Sequence, residues 1–198
     1  MELFGTTTSP YTRKIRILLR PTSLSVAFVD TRTPEGLARF QAAAPLGKVP
    51  VVLTAGLGGA PEALPDSNVI TQWLWAGHKE ALVEAGFDLD PTRWEDRARQ
   101  VVVEGALDAA INRFYLRNDG APDQGYVAKQ RDRVASSLAW LDSRMTLGRP
   151  VGADALSLGC LLDWGLFRKV IDLAPYPGLT RFRQDWVASG IGSGTEPG

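Results

Sequence analysis

The chain contains very few residues of the kinds that form covalent cross-links or metal centres. Among its 198 residues there is one cysteine, Cys160, and one histidine, His78. A single cysteine excludes an intramolecular disulfide, and together with a single histidine it excludes a Cys/His metal cluster. We therefore expect no bound metal, with Cys160 as a small core residue and His78 in a structural or surface position.

The chain also lacks an excess of charge of either sign. Lysine and arginine together number 22, as do aspartate and glutamate, so the formal net charge at pH 7 is zero. This balance predicts no nucleic-acid partner and no attraction to an anionic membrane surface. One basic cluster surrounds a short predicted helix, and we interpret it as a solvated face instead of a phosphate-binding patch: Arg13, Lys14, Arg16 and Arg20.

Long apolar runs are absent as well. No stretch approaches the roughly 20 apolar residues that a membrane-spanning helix needs. The N-terminus also lacks the basic and apolar regions of a signal peptide. These absences predict a cytoplasmic protein that has no membrane partner.

The first part of the chain alternates strand and helix signals. Short apolar or alternating runs predict four strands, and helical spacing with capping residues predicts three helices between and after them. The strands are expected near 2–4, 25–30, 49–53 and 62–64, and the helices over 10–20, 34–42 and 66–77. The order βαβ and then ββα predicts an α/β fold with a four-stranded mixed sheet. The "GLGG" at 56–59 predicts a hairpin turn, not a phosphate-binding loop.

The remainder of the chain carries helical signals only. Asp90 is expected to cap the first long helix, with Pro91 at its first position, and Asp154 to cap a later one. The last nine residues, 190–198, predict a flexible tail. An apolar stripe recurs along the first long helix at helical spacing and predicts its buried face: Trp94, Ala98, Val101, Gly105 and Ala109.

A serine followed by a proline opens the first predicted helix. Ser9 is a good N-cap, and Pro10 at the first helical position gives up only an N–H that would have no partner there. The positive end of the helix dipole favours an anion at this point, and a thiolate is an anion. Ser9 can therefore be a simple cap, or a cap that also serves a ligand.

Three motifs in sequence order resemble those of the cytosolic glutathione transferase family. They are "SPYTRK" from Ser9, "GKVPV" around Pro50 and "LPDSNVI" from Leu64. The resemblance covers nearly the whole chain, and its first motif is similar to the serine and cysteine branches of the family. It implies a thioredoxin-like N-terminal domain over 1–78, a linker over 79–89 and an all-α C-terminal domain over 90–198. It also implies a homodimer.

The resemblance further implies a glutathione site in the N-terminal domain. Ser9 would face the glutathione sulfur, and Lys48 would reach the glycyl carboxylate. The backbone of Val49, before a cis Pro50, would pair with the cysteinyl unit. Asp66 and Ser67 would hold the amine and carboxylate of the γ-glutamyl group.

The implied activity is that of a glutathione transferase with a role in detoxification. Glutathione would be the co-substrate, and Ser9 would stabilise its thiolate for attack on a small hydrophobic electrophile. Thr7 and Thr8 are alternatives to Ser9 as the hydroxyl at the sulfur. Two other functions stay open: a non-catalytic protein-interaction module of the same fold, and a glutathione-dependent reductase or peroxidase. The reductase is disfavoured because a serine at position 9 cannot form a mixed disulfide.

Overall fold

The computed structural model describes residues 1–55 and 61–198 and divides them into two compact units. The first unit comprises Met1–Asp90 together with Gly194–Gly198, and the second comprises Pro91–Ser193. The first is α/β and the second is almost entirely helical. The hairpin turn expected at 56–59 lies outside the described residues.

A four-stranded mixed sheet organises the first unit. Its strands run in the order β2-β1-β3-β4, with β1 parallel to β2, β3 antiparallel to β1, and β4 antiparallel to β3. The predicted thioredoxin-like order βαβ–ββα is confirmed. In chain order the elements are β1 (Glu2–Gly5), α1 (Pro10–Leu19), β2 (Ala27–Asp30), α2 (Pro34–Ala43), β3 (Val51–Ala55), β4 (Pro61–Pro65), α3 (Ser67–Glu84) and β5 (Phe87–Asp88).

Alternation along the strands supplies the apolar faces of this sheet. Phe4 and Val51 are neighbours across β1 and β3 and form a buried cluster with Phe40 of α2. Leu3 and Val52, one step along each strand, are buried as well. Because both faces of the central strands are covered, their sequences read as apolar runs.

The second unit is a set of packed helices. It contains α4 (Trp94–Asn118), α5 (Tyr126–Asp142), the two-residue strand β6 (Val151–Gly152), α6 (Ala153–Phe167) and α7 (Pro177–Ser189). α6 is buried on nearly all sides and contacts both α4 and α7. At Gly159 of α6 the backbone lies so close to the Trp186 ring that a Cβ atom would overlap it. Cys160, beside this contact, is 1% exposed, so the expected core position is confirmed.

The third helix continues into the segment expected to be a linker. α3 extends to Glu84, so residues 79–84 of the predicted linker 79–89 are helical. His78 departs from helical geometry, with φ −138° and ψ 30°, and marks a kink where an end was expected. Residues 79–84 contain good helix formers, and Leu82 among them is fully buried, so the helix resumes after the kink.

The expected start of α4 is wrong, and so is its expected buried face in the first half of the helix. The helix begins at Trp94 after Arg93 and has no side-chain cap, so Asp90 and Pro91 precede it. Trp94 and Val101, expected in the core, are 71% and 70% exposed. The buried side of α4 includes two polar residues: Asp96 accepts from Arg99, and Gln100 accepts from Arg97 and donates to Glu104. Apolar spacing therefore pointed to the wrong side in the first half of α4, whereas Ala109, farther along the stripe, is 1% exposed as expected.

A partly buried ion-pair network joins α4 to α6. The Arg99 side chain donates to Asp154 Oδ2 over 2.7 Å and also to the Asp96 carboxylate. Burial alone would lower the pKa of Arg99, but the hydrogen bonds and negative charge of Asp154 and Asp96 outweigh it and raise that pKa. Asp154 is 5% exposed and lies inside α6, after the N-cap Gly152, so its predicted capping position is wrong.

The C-terminal residues and the basic cluster also differ from expectation. Thr195 is 4% exposed and accepts a hydrogen bond from Arg13 Nε over 3.2 Å. Arg13 and Lys14 are each only 2% exposed, and Lys14 Nζ donates to Asn68 Oδ1 over 2.9 Å. These two side chains are thus not solvated, because partners distant in the sequence compensate for their burial.

The Arg13–Thr195 bond predicts a specific loss of stability. Replacing the threonine by its near-isostere, Thr195→Val, leaves the buried Arg13 Nε without this acceptor and should lower the free energy of unfolding by about 1–2 kcal/mol. The control Thr146→Val changes an exposed threonine and should have little effect. Urea unfolding of both variants measures the difference, and equal midpoints would contradict the bond's contribution.

Candidate functional site

Strand register brings three loops to one edge of the sheet. Val51, the first residue of β3, pairs with Phe4 near the end of β1 and with Pro65 at the end of β4. The segments that follow β1 and β4 and the segment that precedes β3 therefore meet at this edge. These segments carry all the site residues expected from the sequence: Ser9, Lys48, Val49, Pro50, Asp66 and Ser67.

Ser9 caps α1 with its side-chain oxygen. Its Oγ accepts from the Thr12 N–H over 3.2 Å, its carbonyl accepts from the Arg13 N–H over 2.9 Å, and Pro10 is the first helical residue. A hydroxyl can accept two hydrogen bonds and donate one, so the cap uses acceptor capacity and leaves the proton. Within residues 1–55 and 61–198, no acceptor is found for that proton.

The two neighbouring threonine hydroxyls are engaged differently. Thr7 Oγ1 donates to the Gly198 carbonyl over 2.6 Å and accepts from Arg32 Nη2 over 3.1 Å. Thr8 Oγ1 lies 3.3 Å from Thr6 Oγ1, within hydrogen-bonding distance. Of the three hydroxyls, Ser9 is therefore the one with the clearest capacity to donate to a ligand.

The loop before β3 contains the expected cis proline. The Val49–Pro50 peptide bond is cis, as predicted. Val49 is half-buried, and its side chain packs on the cluster around Phe4 and Phe40. Because β3 begins at Val51, the backbone of Val49 lies before the strand ladder. Lys48, one residue earlier, is exposed.

Asp66 and Ser67 form the start of α3. Asp66 Oδ1 accepts from the N–H groups of Asn68 over 2.7 Å and Val69 over 3.3 Å, while the residue is exposed and has φ 73°. Ser67 is the first helical residue and is 4% exposed. A carboxylate beside the positive end of a helix dipole offers one partner for a cation and another for an anion. This combination suits a ligand that carries an amine and a carboxylate together.

Two side-chain connections at this edge were not foreseen from the sequence. Lys14 of α1 bonds Asn68 in the first turn of α3, and Arg32 bonds both Thr7 and Asp30, the latter over 2.7 Å. The hydrogen bond from Arg32 lowers the pKa of Asp30 and keeps its carboxylate charged. The sequence did contain a sign that Lys14 is buried, because position 14 falls on the same helical face as Ile15 and Leu18.

Residues 1–55 and 61–198 contain neither a helix suited to span a membrane nor a cluster of side chains suited to hold a metal ion. No helix in these ranges is long and apolar enough to cross a membrane. The same ranges contain no group of three or more histidine, cysteine, aspartate or glutamate residues arranged to hold a metal ion.

The cap geometry predicts matched stability losses at two helices. Thr33 caps α2 as Ser9 caps α1, with its Oγ1 accepting from the Gly36 N–H over 3.0 Å. Ser9→Ala and Thr33→Ala should each lower the free energy of unfolding by about 1 kcal/mol, because each removes one side-chain cap. Thermal or urea unfolding measures both, and an unchanged Ser9→Ala midpoint would contradict the capping role.

Comparison with known proteins shows a consistent set of similarities. Residues 3–81 match the family described as "Glutathione S-transferase, N-terminal domain". The uncharacterized GST-like protein YibF of Escherichia coli K12 is 26% identical over 179 residues, which cover 86% of this chain and 84% of that protein.

Solved structures of bacterial glutathione transferases resemble the whole chain. One from Methylobacillus flagellatus KT, with glutathione bound, has a TM-score of 0.80 at 26% identity and covers 100% of this chain and 99% of its own. A family member from Pseudomonas fluorescens Pf-5, also with bound glutathione, has a TM-score of 0.78 at 25% identity and covers 100% and 98%. The fold is that of these glutathione transferases, and residues 3–81 carry the match to the N-terminal domain family.

Proposed function

We propose that the chain is a cytoplasmic glutathione transferase that binds reduced glutathione and promotes attack of its thiolate on a small hydrophobic electrophile. The observation that carries the proposal is the Ser9 hydroxyl, which keeps its proton while capping α1 at the sheet edge shared with Val49 and Asp66. The glutathione bound in the similar structures from Methylobacillus and Pseudomonas supports the choice of ligand. The physiological role would be detoxification.

Each part of glutathione has a partner of suitable chemistry in this proposal. The exposed Asp66 carboxylate attracts the γ-glutamyl ammonium, and the α3 start at Ser67 attracts the γ-glutamyl carboxylate. The Val49 backbone, with Pro50 next to it, pairs with the cysteinyl unit. Lys48 reaches the glycyl carboxylate as a mobile, exposed cation.

Ser9 acts on the sulfur by donating a hydrogen bond that strengthens as negative charge develops. A free thiol has a pKa of about 8.5, and each unit of lowering requires about 1.4 kcal/mol of preference for the thiolate. The Ser9 hydroxyl and the positive end of the α1 dipole both favour the thiolate, so both lower the pKa of the bound thiol in this proposal. The thiolate then forms a sulfur–carbon bond, and the electrophile's leaving group departs with its electron pair.

The residue type at position 9 separates this activity from a reductase. A mixed disulfide between protein and glutathione needs a protein thiol, and serine has none. The single cysteine, Cys160, is 1% exposed in α6. Conjugation is therefore the reaction that the site supports.

The turnover test compares the two cap variants. With glutathione and 1-chloro-2,4-dinitrobenzene, Ser9→Ala should lower kcat/KM by about 10- to 100-fold, because a donor to developing negative charge is lost. Its pH–rate profile should shift to higher pH, since the bound thiol ionises less readily. Thr33→Ala loses an equivalent cap and should retain wild-type turnover.

Calorimetry distinguishes the proposed catalytic role of Ser9 from a role in glutathione binding. Ser9→Ala should still bind glutathione, because the γ-glutamyl and glycyl contacts are intact. Equal turnover in Ser9→Ala and wild type would exclude Ser9 as the catalytic hydroxyl. If the wild-type chain neither binds glutathione nor is retained on immobilised glutathione, the enzymatic proposal fails and the interaction module is favoured.

We also propose that two copies of the chain associate through α4. The α4 stripe, defined as Trp94, Ala98 and Val101, lies on one side of the helix, and its tryptophan and valine are 71% and 70% exposed. Large apolar side chains exposed together mark an interaction surface. The family resemblance implies a homodimer, so a second copy of the chain is the partner that we propose for this stripe.

A charge in the α4 stripe should disrupt this dimer. Val101→Glu places a carboxylate where an apolar contact is expected and should convert the protein to a monomer. Val187→Glu changes a 55% exposed valine on α7 and should leave the dimer intact. Light scattering coupled to size-exclusion chromatography measures the mass of each variant. A monomeric wild-type protein, or equal masses for the two variants, would contradict an interface at the α4 stripe.

A further inference from the structure

The first unit contains a pocket that the proposed glutathione site does not use. Its volume is about 300 Å³, near the lower limit for small-molecule sites. Apolar walls are formed by Leu19, Leu24 and Val26, and Phe28 extends them along β2. Arg16 and Arg20 bring two guanidinium groups to the same pocket.

The pocket and the glutathione site lie at opposite ends of α1. Ser9 caps the N-terminus of this helix, whereas Arg16, Leu19 and Arg20 belong to its last turns. An α-helix rises 1.5 Å per residue, so about 15 Å separates Ser9 from Leu19 along the axis. Occupation of the pocket therefore need not displace a ligand at Ser9.

Arg16 gives the pocket a cation whose contact is aromatic. Its guanidinium lies 5.7 Å from the centre of the Phe28 ring, and no carboxylate of residues 1–55 or 61–198 is within ion-pairing distance of it. Burial lowers the pKa of Arg16, and the charges of Arg20 and Arg13 lower it further, while Glu196 opposes them. Added negative charge here would thus relieve an unfavourable concentration of positive charge.

We propose that this pocket binds a small monocarboxylate with an unbranched apolar tail. The carboxylate contacts the guanidinium groups of Arg16 and Arg20, and the Arg16 guanidinium can donate two parallel hydrogen bonds to it. The tail packs on Leu19, Leu24 and Val26. A phosphate ester fits less well, because apolar walls cannot compensate for burying a second negative charge. A neutral apolar molecule would leave Arg16 without an anion.

The proposal is tested by titrating the intact protein with octanoate in a calorimeter. Binding should be saturable with one site per chain, and it should be the same with and without saturating glutathione. Octan-1-ol, which has the same tail and no charge, should bind at least about tenfold more weakly, because the charge-assisted hydrogen bonds are lost. This comparison does not depend on whether glutathione binds or reacts.

Variants assign the binding to this pocket. Arg16→Met keeps an apolar stem over Phe28 and should weaken octanoate binding about tenfold, as should Arg20→Met, which changes an exposed residue. Arg181→Met, an exposed arginine of α7, should bind like wild type. Glu196→Gln removes a competing negative charge and should tighten binding. Leu24→Trp should fill the pocket and abolish binding, with thermal unfolding as the check that each variant is folded.

Several results would overturn the proposal. Equal affinities for octanoate and octan-1-ol would exclude recognition of the carboxylate. Equal affinities in Arg16→Met, Arg20→Met and Arg181→Met would place any binding elsewhere. Competition between octanoate and glutathione would assign the carboxylate to the sheet edge at Ser9, and an absence of octanoate binding to the wild-type protein would remove the proposed ligand class.

Discussion

The pairing of Val51 with two partners at once is the constraint on which the candidate site depends. Val51 lies opposite Phe4 of β1 and opposite Pro65 of β4, so one residue fixes where three segments meet. A slip of one residue in either pairing would turn every side chain of a strand to the other face. The burial of Phe4 and Val51 in one cluster with Phe40 makes such a slip costly. Packing in the core thus sets the positions of polar groups at the edge.

The position of helix α1 is fixed by buried cations as well as by apolar contacts. Arg13 bonds Thr195 and Lys14 bonds Asn68, so the first turns of the helix are joined to a segment 182 residues away and to the start of α3. Ser9 is one turn before these residues. Its orientation at the helix start therefore depends on the same contacts that bury the charges, and capping and ligand recognition share one local geometry.

Local chemistry was readable in the sequence, and long-range compensation was not. The order of strands and helices, the Ser9 cap and the buried Cys160 all follow from residue type and close neighbours, whereas the cis Pro50 was implied by the family resemblance. Arg13 and Lys14 resembled a solvated face because Thr195 and Asn68, which compensate for their burial, are far away in the chain. The buried face in the first half of α4 was missed for a different reason: Asp96 and Gln100 are tolerated inside because Arg99, Arg97 and Glu104 of the same helix supply their partners. The extent of α3 was missed because a kink at His78 resembles an end.

Residues 194–198 belong to the first unit although they follow the second unit in the sequence. The order of the chain therefore differs from the order of the domains. A fragment that ends at Asp90 has the whole sheet but lacks Thr195, the acceptor for a buried arginine beside the candidate site. Exchange of N-terminal domains between related proteins would face the same mismatch, since the new domain would meet a C-terminal segment shaped for another α1. For this chain, the smallest transferable form of the candidate site is discontinuous: residues 1–90 together with the segment that the helical unit sends back to them.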